Sequence, residues 1–188
     1  MVRAYQPDRP VPEEVLDRVL DHAVRAPSAG FSQGWDFVVL TSSQDRELFW
    51  RTTADPDAVQ DSWLRGVSTA PCLILCLSDR DAYLDRYAEP DKGWTDRDEA
   101  RWPVPYWDVD TGMAAMLMLL TAVDEGLGAL FFGVPPARRQ DVLSAYGIPQ
   151  DRRLVGVVSI GDIAVKEGKD RRVGDTLQSI SEGVKETP

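Results

Sequence analysis

The chain passes from its first predicted helix to its first predicted strand through residues 26–35, which read Ala26-Pro27-Ser28-Ala29-Gly30-Phe31-Ser32-Gln33-Gly34-Trp35. Apolar residues at helical spacing precede this stretch, and the apolar run Phe37–Leu40 follows it. Pro27 favours a turn, Gly30 lacks a side chain, and Ser28 and Ser32 carry hydroxyls. Two interpretations follow: a plain connection between helix and strand, or a turn that a flat or anionic ligand approaches closely.

Size and charge limit the function classes. The 188 residues suit one domain, 1–188, with 43% hydrophobic and 28% charged residues, as in soluble globular proteins. A formal net charge of −10 argues against a nucleic-acid partner, which needs a concentrated cationic face. The longest nearly apolar run, Gly112–Val123, falls short of the roughly 20 residues that span a bilayer. No secretory signal is visible at the start, so we expect a cytoplasmic protein without membrane contact.

The cysteines and the single histidine offer little for metal or nucleophilic chemistry. Cys72 and Cys76 lie four residues apart in an apolar segment, a spacing of neither zinc-binding nor redox pairs. We expect both thiols to be reduced and buried in the core. A Ser-His-Asp triad would need His22, which falls within the first predicted helix, where a helix-surface or interface role fits better. We therefore expect no metal site.

Hydrophobic periodicity predicts alternating helices and strands. The strand Cys72–Leu77 is apolar throughout and should be buried on both faces of a sheet. The predicted helix Thr111–Glu125, with Asp110 as its cap, is apolar nearly all round and should be covered on every side, which suggests a second subunit. The other predicted elements are a helix over residues 12–24, helices at 44–52, 59–64 and 137–146, and strands at 129–132 and 154–160.

Residues 79–107 lack a clear period but are rich in aromatic side chains. They include Tyr83, Tyr87, Trp94, Trp102, Tyr106 and Trp107, set among charges and prolines. A long irregular segment of this kind is usually functional or disordered, and its aromatic density argues against disorder. The segment could form a stacking surface for a planar ligand or a lid that packs on a neighbouring subunit.

A basic cluster near the carboxyl terminus is unusual in so acidic a chain. Lys166, Lys169, Arg171 and Arg172 fall within seven residues. The cluster could be a solvated turn, or it could bind an anion such as a phosphate, for which Lys and Arg are the usual ligands.

Four motifs, taken in order, resemble the FMN-dependent nitroreductase family. The first is a basic residue, Arg3, before a helix introduced by proline; the second is Ala26-Pro27-Ser28 followed by Gln33-x-Trp35. The third is Asp-x-Gly-x-Ala followed by Leu-Leu-x-Ala and Gly-Leu-Gly, here within 110–128, and the fourth is Lys-x-Arg-Arg at 169–172. Two positions depart from the family pattern: Phe31 stands where asparagine is common, and Gly34 replaces a proline.

The resemblance implies a nitroreductase-like α+β fold, with a central mixed β-sheet flanked by helices, in an intertwined homodimer that places two FMN molecules at the subunit interface. It implies that Pro27, Ser28 and Ala29 reach the flavin of the opposite subunit. Arg3, Lys169 and Arg171 would lie near the phosphate, ribityl chain or pyrimidine edge. The full set of expected cofactor contacts is Arg3, Pro27, Ser28, Ala29, Phe31, Gln33, Phe131, Phe132, Gly133, Lys169 and Arg171.

The implied reaction is hydride transfer from NADH or NADPH to flavin N5 and then to a small organic acceptor such as a nitroaromatic, a quinone or a specific metabolite, by alternating half-reactions. The cofactor carries this chemistry, so no essential catalytic side chain is expected. The aromatic segment supplies the candidate substrate residues Tyr83, Arg86, Tyr87, Trp94 and Trp107.

Other flavin functions are compatible with the same motifs. The chain could be a specialised reductase, dehalogenase or dehydrogenase, or a flavin carrier or sensor with little turnover. Ser-x-Gly-Phe-x-Gln around Phe31 is similar to the flavin-fragmenting branch that makes dimethylbenzimidazole. Two polar groups of that chemistry are replaced here by Met1 and Phe131.

Overall fold

The computed structural model describes residues 2–54 and 61–164. In chain order its elements are α1 (Glu13–Ala23), β1 (Trp35–Leu40), α2 (Ser43–Thr53), α3 (Ser62–Val67), β2 (Cys72–Ser78), α4 (Arg80–Ala88), α5 (Tyr106–Asp124), β3 (Gly128–Phe132), α6 (Arg139–Ala145) and β4 (Arg153–Gly161). Within these residues, no helix is both long enough and apolar enough to cross a membrane.

The four strands form one sheet in the order β1-β2-β4-β3. Each pairing in the described ranges is antiparallel, whereas we expected a mixed sheet. Two of the three connections return the chain to the end of the sheet that it has just left: Leu40, the last residue of β1, pairs with Leu73 near the start of β2. The connection from β2 to β3 crosses to the other end, but β4 lies between these two strands, so they are not neighbours. The α+β class is confirmed. The central strand β2 is buried along its whole length, as predicted.

Helices cover both faces of the sheet, since side chains alternate between faces along a strand. On one face Ile74, Cys76 and Val158 pack with α1 and α5. On the other face Leu75, Leu77 and Val157 pack with α2, α3 and α6. Cys72 and Cys76 are free and buried, as expected, and burial raises the pKa of each thiol to about 12.

The two ends of the sheet carry different parts of the candidate site. At one end, here called the Trp35 end, Trp35 pairs with Ser78, which in turn pairs with Arg153. At the opposite, Gly161 end, the amino-terminal segment adds to the sheet: Tyr5 bridges Ile163, and the Val2 N–H donates to the Ala129 carbonyl at 3.4 Å. The length of β4 separates these ends by roughly 26 Å at 3.3 Å per residue.

Two predicted boundaries were wrong. Residues 79–107 contain a helix, α4, which we did not predict; the Asp79 carboxylate caps it by accepting from the N–H groups of Asp81 and Ala82. Helix α5 begins at Tyr106 rather than Thr111, so Asp110 lies inside the helix instead of capping it.

Candidate functional site

Residues 28–35 form a tight loop with an unusual backbone, here called the Ser28 loop. Gly30, Phe31 and Gln33 have φ values of 62°, 58° and 50°, in the left-handed region that glycine favours. The loop is closed by its own side chains: the Gln33 N–H donates to Ser28 Oγ at 3.0 Å, and Ser32 Oγ donates to the Ala29 carbonyl at 2.7 Å. Two non-glycine residues in this region store strain, which the surroundings must offset.

Helix α5 holds the Ser28 loop through one buried carboxylate. Asp110 Oδ2 accepts the Ala29 N–H and the Tyr83 hydroxyl, each at 2.8 Å. Asp110 is 1% exposed, and Tyr83 is fully buried. Burial raises the pKa of the Tyr83 phenol, and the hydrogen bond to Asp110 raises it further, so the phenol stays a donor. One signal for this role was visible in the sequence, an acidic residue next to an apolar helix, which we interpreted as a helix cap.

Helix α4 holds the same loop from another side. Arg86 Nε donates to the Gly30 carbonyl at 2.9 Å, and the Tyr87 ring lies so close that a Cβ at position 30 would sit 2.5 Å from its Cε2 atom. The other guanidinium nitrogens of Arg86 pair with Glu89 and Asp91. The backbone conformation of the loop is therefore fixed by two helices that follow it by more than 50 residues.

The Ser28 loop turns several groups outwards. Phe31 is 75% exposed, and Pro27 and Gln33 are exposed. Ser28 Oγ accepts from the Gln33 amide and keeps its own proton, so the hydroxyl can donate to an external acceptor. Pro27, Phe31 and Gln33, three of the residues expected to contact a cofactor, are thus accessible at the protein surface. The Ala29 amide does not belong to that surface, since its proton is given to Asp110.

The three residues at the end of β3 that we expected to lie against the flavin have different surroundings. The Phe132 ring stacks on Trp50 with centroids 5.7 Å apart and also meets Phe49, so its ring is part of the core. Phe131 points to the opposite face and packs over Gly156. At Gly133 a Cβ would meet no atom within 4 Å. The two rings point to opposite faces, as neighbouring residues of a strand do, so a flavin contact by all three residues stays a prediction.

Arg3, one of the three cationic residues expected at the cofactor, lies apart from the Ser28 loop. Arg3 is exposed at the Gly161 end, where its carbonyl packs against Gly66. The loop lies at the Trp35 end, roughly 26 Å away along β4. Lys169 and Arg171 fall outside the described residues. One protomer therefore does not bring Arg3 and Ser28 to the same ligand.

The aromatic segment forms one cluster centred on a residue that we did not single out for the site. Trp102 meets Tyr83, Tyr87, Trp94, Tyr106 and Trp107 at centroid distances from 4.6 to 6.0 Å. Of the candidate substrate residues, Tyr83 and Trp107 are buried and lie behind the Ser28 loop. Tyr87 and Trp94 are half-buried and reach the surface. The high aromatic content was a usable signal for this cluster, but its centre was not visible in the sequence.

Helix α5 also carries an exposed apolar face, here called the α5 stripe: Tyr106, Val109, Met113, Met116, Leu120 and Val123. Their spacing alternates between three and four residues, which aligns them along one side of a helix. Met116, Leu120 and Val123 are 52%, 59% and 65% exposed. Gly112 lies beside the stripe, and a Cβ there would meet no atom of the described residues within 4 Å.

Metal chemistry finds no support in residues 2–54 and 61–164, where no group of three or more His, Cys, Asp or Glu side chains could hold an ion. His22 Nδ1 lies 2.9 Å from the Thr121 hydroxyl, which itself donates to the Leu117 carbonyl. The Thr121 oxygen thus accepts from His22, and the imidazole links α1 to α5.

Comparisons with known proteins agree with this geometry. A curated protein of Archaeoglobus fulgidus, provisionally named an NADH dehydrogenase/NAD(P)H nitroreductase, is 28% identical over 162 residues, covering 85% of this chain and 78% of that protein. An FMN-dependent nitroreductase of Clostridium difficile R20291 superposes with a TM-score of 0.66 at 21% identity, covering 93% of this chain and 88% of the other.

A provisionally named nitroreductase of Exiguobacterium sibiricum 255-15, solved in complex with FMN, superposes with a TM-score of 0.62 at 22% identity. That match covers 94% of this chain and 90% of the other. At these identities the solved structures establish the fold. The family model described as "Nitroreductase family" matches residues 1–162, most of the chain. The protein belongs to the nitroreductase family.

Proposed function

We propose that the chain is an FMN-dependent oxidoreductase that takes electrons from NADH or NADPH and passes them to a small organic acceptor. Family membership and the names of the relatives, among them an FMN-dependent nitroreductase and an enone reductase, support this reaction class. FMN, when bound, supplies the hydride chemistry at its N5 atom; the protein binds and orients it. No side chain among the described residues is needed as a covalent nucleophile.

The observation that carries this proposal is the separation of Arg3 from the Ser28 loop. Among the described residues, Arg3 lies at one end of the sheet and the Ser28 loop at the other, roughly 26 Å apart, which supports a site built from two chains. We propose a homodimer in which the Ser28 loop of one protomer faces the flavin held by the Gly161 end and β3 of its partner.

The α5 stripe supports the same assembly. A contiguous row of large apolar side chains on a helix that already buries its other faces is characteristic of an interface. Gly112 adds a separate argument, because glycine inside a helix costs about 1 kcal/mol relative to alanine. Among residues 2–54 and 61–164, no atom lies within 4 Å of the place where a Cβ at Gly112 would sit. Close approach by a partner helix accounts for its presence.

Within this site the residues of the chain have distinct roles. Arg3, Lys169 and Arg171 supply positive charge for the phosphate and the pyrimidine edge, as guanidinium and ammonium groups commonly do. Ser28 donates its free hydroxyl proton, and Pro27, Phe31 and Gln33 line the cofactor from the partner side. Gly133 leaves its backbone open to a flat ligand, which fits a flavin ring placed beside β3.

The acceptor side of the site is built from the aromatic segment. Tyr87 and Trp94 reach the surface next to the Ser28 loop and could stack on a planar acceptor. We assign Tyr83 and Trp107 to the support of the loop, since both are buried. Arg86 is likewise assigned to the loop, because its guanidinium is engaged by Gly30, Glu89 and Asp91.

The absorbance spectrum of the purified protein tests the cofactor directly. We expect flavin bands near those of free FMN, or their appearance after FMN is added together with quenching of flavin fluorescence. A colourless protein whose fluorescence titration and melting temperature are both unaffected by FMN would contradict the proposal. If FMN binds but NAD(P)H oxidation with quinones and nitroaromatics stays below about one turnover per minute, a carrier or sensor replaces the enzyme.

The phosphate contacts are tested by removing two charges. We expect Lys169→Ala combined with Arg171→Ala to weaken FMN binding by about tenfold or more, since each charge-assisted contact contributes more than 1 kcal/mol. Arg51→Ala combined with Arg97→Ala removes the same charge at two exposed positions outside the expected cofactor contacts and should leave the dissociation constant unchanged. Equal effects of the two double variants would show that only net charge matters.

A further inference from the structure

The Ser28 loop holds a conformation that its own sequence does not favour. Three of its residues have positive φ, and two of these, Phe31 and Gln33, are not glycine. Such residues keep this conformation only where surrounding contacts determine it. A contact outside the loop must therefore determine its shape.

The contact with Asp110 ties the loop to a side chain that is almost completely buried. Its Oδ2 atom receives the Ala29 N–H from the start of the turn, immediately before Gly30 and Phe31. The same oxygen receives the Tyr83 hydroxyl, which fixes the direction of the carboxylate. A hydrogen bond to an ionised group is stronger than a neutral one, and an ionised group left buried without its donors is costly. Loss of this hydrogen bond would therefore be costly for the Asp110 carboxylate and would release the Ala29 N–H.

From this geometry we infer that Asp110 is a positioning residue: it holds the Ala29 amide, aided by Tyr83, so that Phe31 and the Ser28 hydroxyl face the cofactor site of the partner subunit. This role rests on the proposed function, because it matters for binding only if the Ser28 loop contacts FMN. Asp110 itself touches neither cofactor nor substrate in this assignment.

The two bonds to one oxygen allow a sharp test. In Asp110→Asn a single carbonyl oxygen can still accept from both Ala29 and Tyr83, whereas Asp110→Ala removes both bonds. The matched control is Asp108, one half-turn earlier on α5, whose hydrogen bonds within the described residues come from Ser78 and Arg153 and not from the loop.

Two measurements are made on the four variants Asp110→Ala, Asp110→Asn, Asp108→Ala and Asp108→Asn. Hydrogen–deuterium exchange over residues 28–35, measured without ligand, gives the exchange rate of the Ala29 amide. Quenching of flavin fluorescence gives the FMN dissociation constant. For Asp110→Ala we expect faster exchange at Ala29 and an FMN dissociation constant about 10- to 100-fold higher. Asp110→Asn and both Asp108 variants should stay within about threefold of wild type.

Three results would overturn the inference: unchanged loop exchange in Asp110→Ala, equal damage from Asp110→Asn, or the same effects from Asp108→Ala. If Asp110→Ala does not fold, Tyr83→Phe decides, because it keeps the carboxylate and removes one donor; unchanged exchange at Ala29 then counts against the role. If wild type binds no FMN, the proposed function fails, while the exchange data still decide whether Asp110 positions the loop.

Discussion

Arg86 Nε donates to the Gly30 carbonyl at 2.9 Å, joining α4 to the centre of the Ser28 loop across 56 residues of sequence. The remaining guanidinium nitrogens reach Glu89 and Asp91, which neutralise the charge and hold the side chain in place. The hydrogen bonds that Arg86 donates to Asp91 raise the pKa of this guanidinium further, so the group is charged at every accessible pH. Arg86 thus serves the architecture of the loop, although its position beside the aromatics suggested a substrate contact.

Removing this guanidinium should loosen the loop and weaken cofactor binding without unfolding the protein. We expect Arg86→Ala to accelerate hydrogen–deuterium exchange at residues 29–31 and to raise the FMN dissociation constant by about tenfold. The control is Arg97→Ala, since Arg97 pairs with Asp85 on the same acidic surface without reaching the loop. If Arg86→Ala changes only the Michaelis constant for the acceptor and leaves hydrogen–deuterium exchange of the loop as in wild type, Arg86 is a substrate contact instead.

The sequence predicted most of the sheet and helices because their apolar patterns are strong. Residues 72–77 are all apolar, which predicts a buried strand, and the structure confirms this strand. Helix α4 escaped prediction because its sequence mixes charges with aromatics and has weak amphipathic periodicity, although the capping carboxylate of Asp79 was a signal for its start.

The candidate site was less predictable, because its contacts join distant segments. That Phe131 and Phe132 point to opposite faces follows from the two-residue period of a strand and could have been foreseen. Which ring enters the core depends on where Trp50 packs, and that is a tertiary fact. The same holds for Asp110, whose donors lie 81 and 27 residues away.

A charge placed on the α5 stripe should dissociate the proposed dimer. We expect wild type to have twice the chain mass of 20.9 kDa by light scattering and Leu120→Glu to have the chain mass alone, because an unpaired carboxylate cannot be buried at an apolar interface. Gln44→Glu adds the same charge at an exposed position of α2 and should leave the mass unchanged. A monomeric wild type at micromolar concentration would contradict the assembly.

The Phe132 ring should matter for stability rather than for the flavin. It stacks on Trp50 and meets Trp63 edge-on, with centroids 5.7 and 5.6 Å apart. We expect Phe132→Ala to lower the free energy of unfolding, measured with urea, by about 3–5 kcal/mol.

Phe131→Ala is the comparison for Phe132→Ala, since the neighbouring ring packs over Gly156 on the other face. Where Phe132→Ala still folds, its FMN dissociation constant should match that of wild type. Loss of FMN binding in Phe132→Ala without loss of stability would restore this ring to the cofactor site.

The buried thiols should make the protein lose stability in alkaline solution. Burial raises the pKa of Cys76 from an ordinary value of 9.0 to about 12, and burial likewise raises that of Cys72 to about 12, with the charge of Arg46 opposing the shift. Between about pH 9 and pH 12 the thiols of the unfolded chain have lost protons that the native state keeps, so the free energy of unfolding falls as pH rises. The contribution is complete below about pH 9 and is lost towards pH 12.

Each thiol should lower the free energy of unfolding by about 1.4 kcal/mol per pH unit in that window. Urea unfolding at pH 8, 9, 10 and 11 measures this slope. In the double variant Cys72→Ala/Cys76→Ala, the free energy of unfolding should fall with pH less steeply than in wild type, by about twice that amount per pH unit. This difference in slope does not depend on the stability of the variant at pH 8. Above pH 10 both proteins should share a further decline from Tyr5, whose pKa burial raises to about 12. Identical slopes would mean that the thiols ionise as easily in the native state as in the unfolded chain.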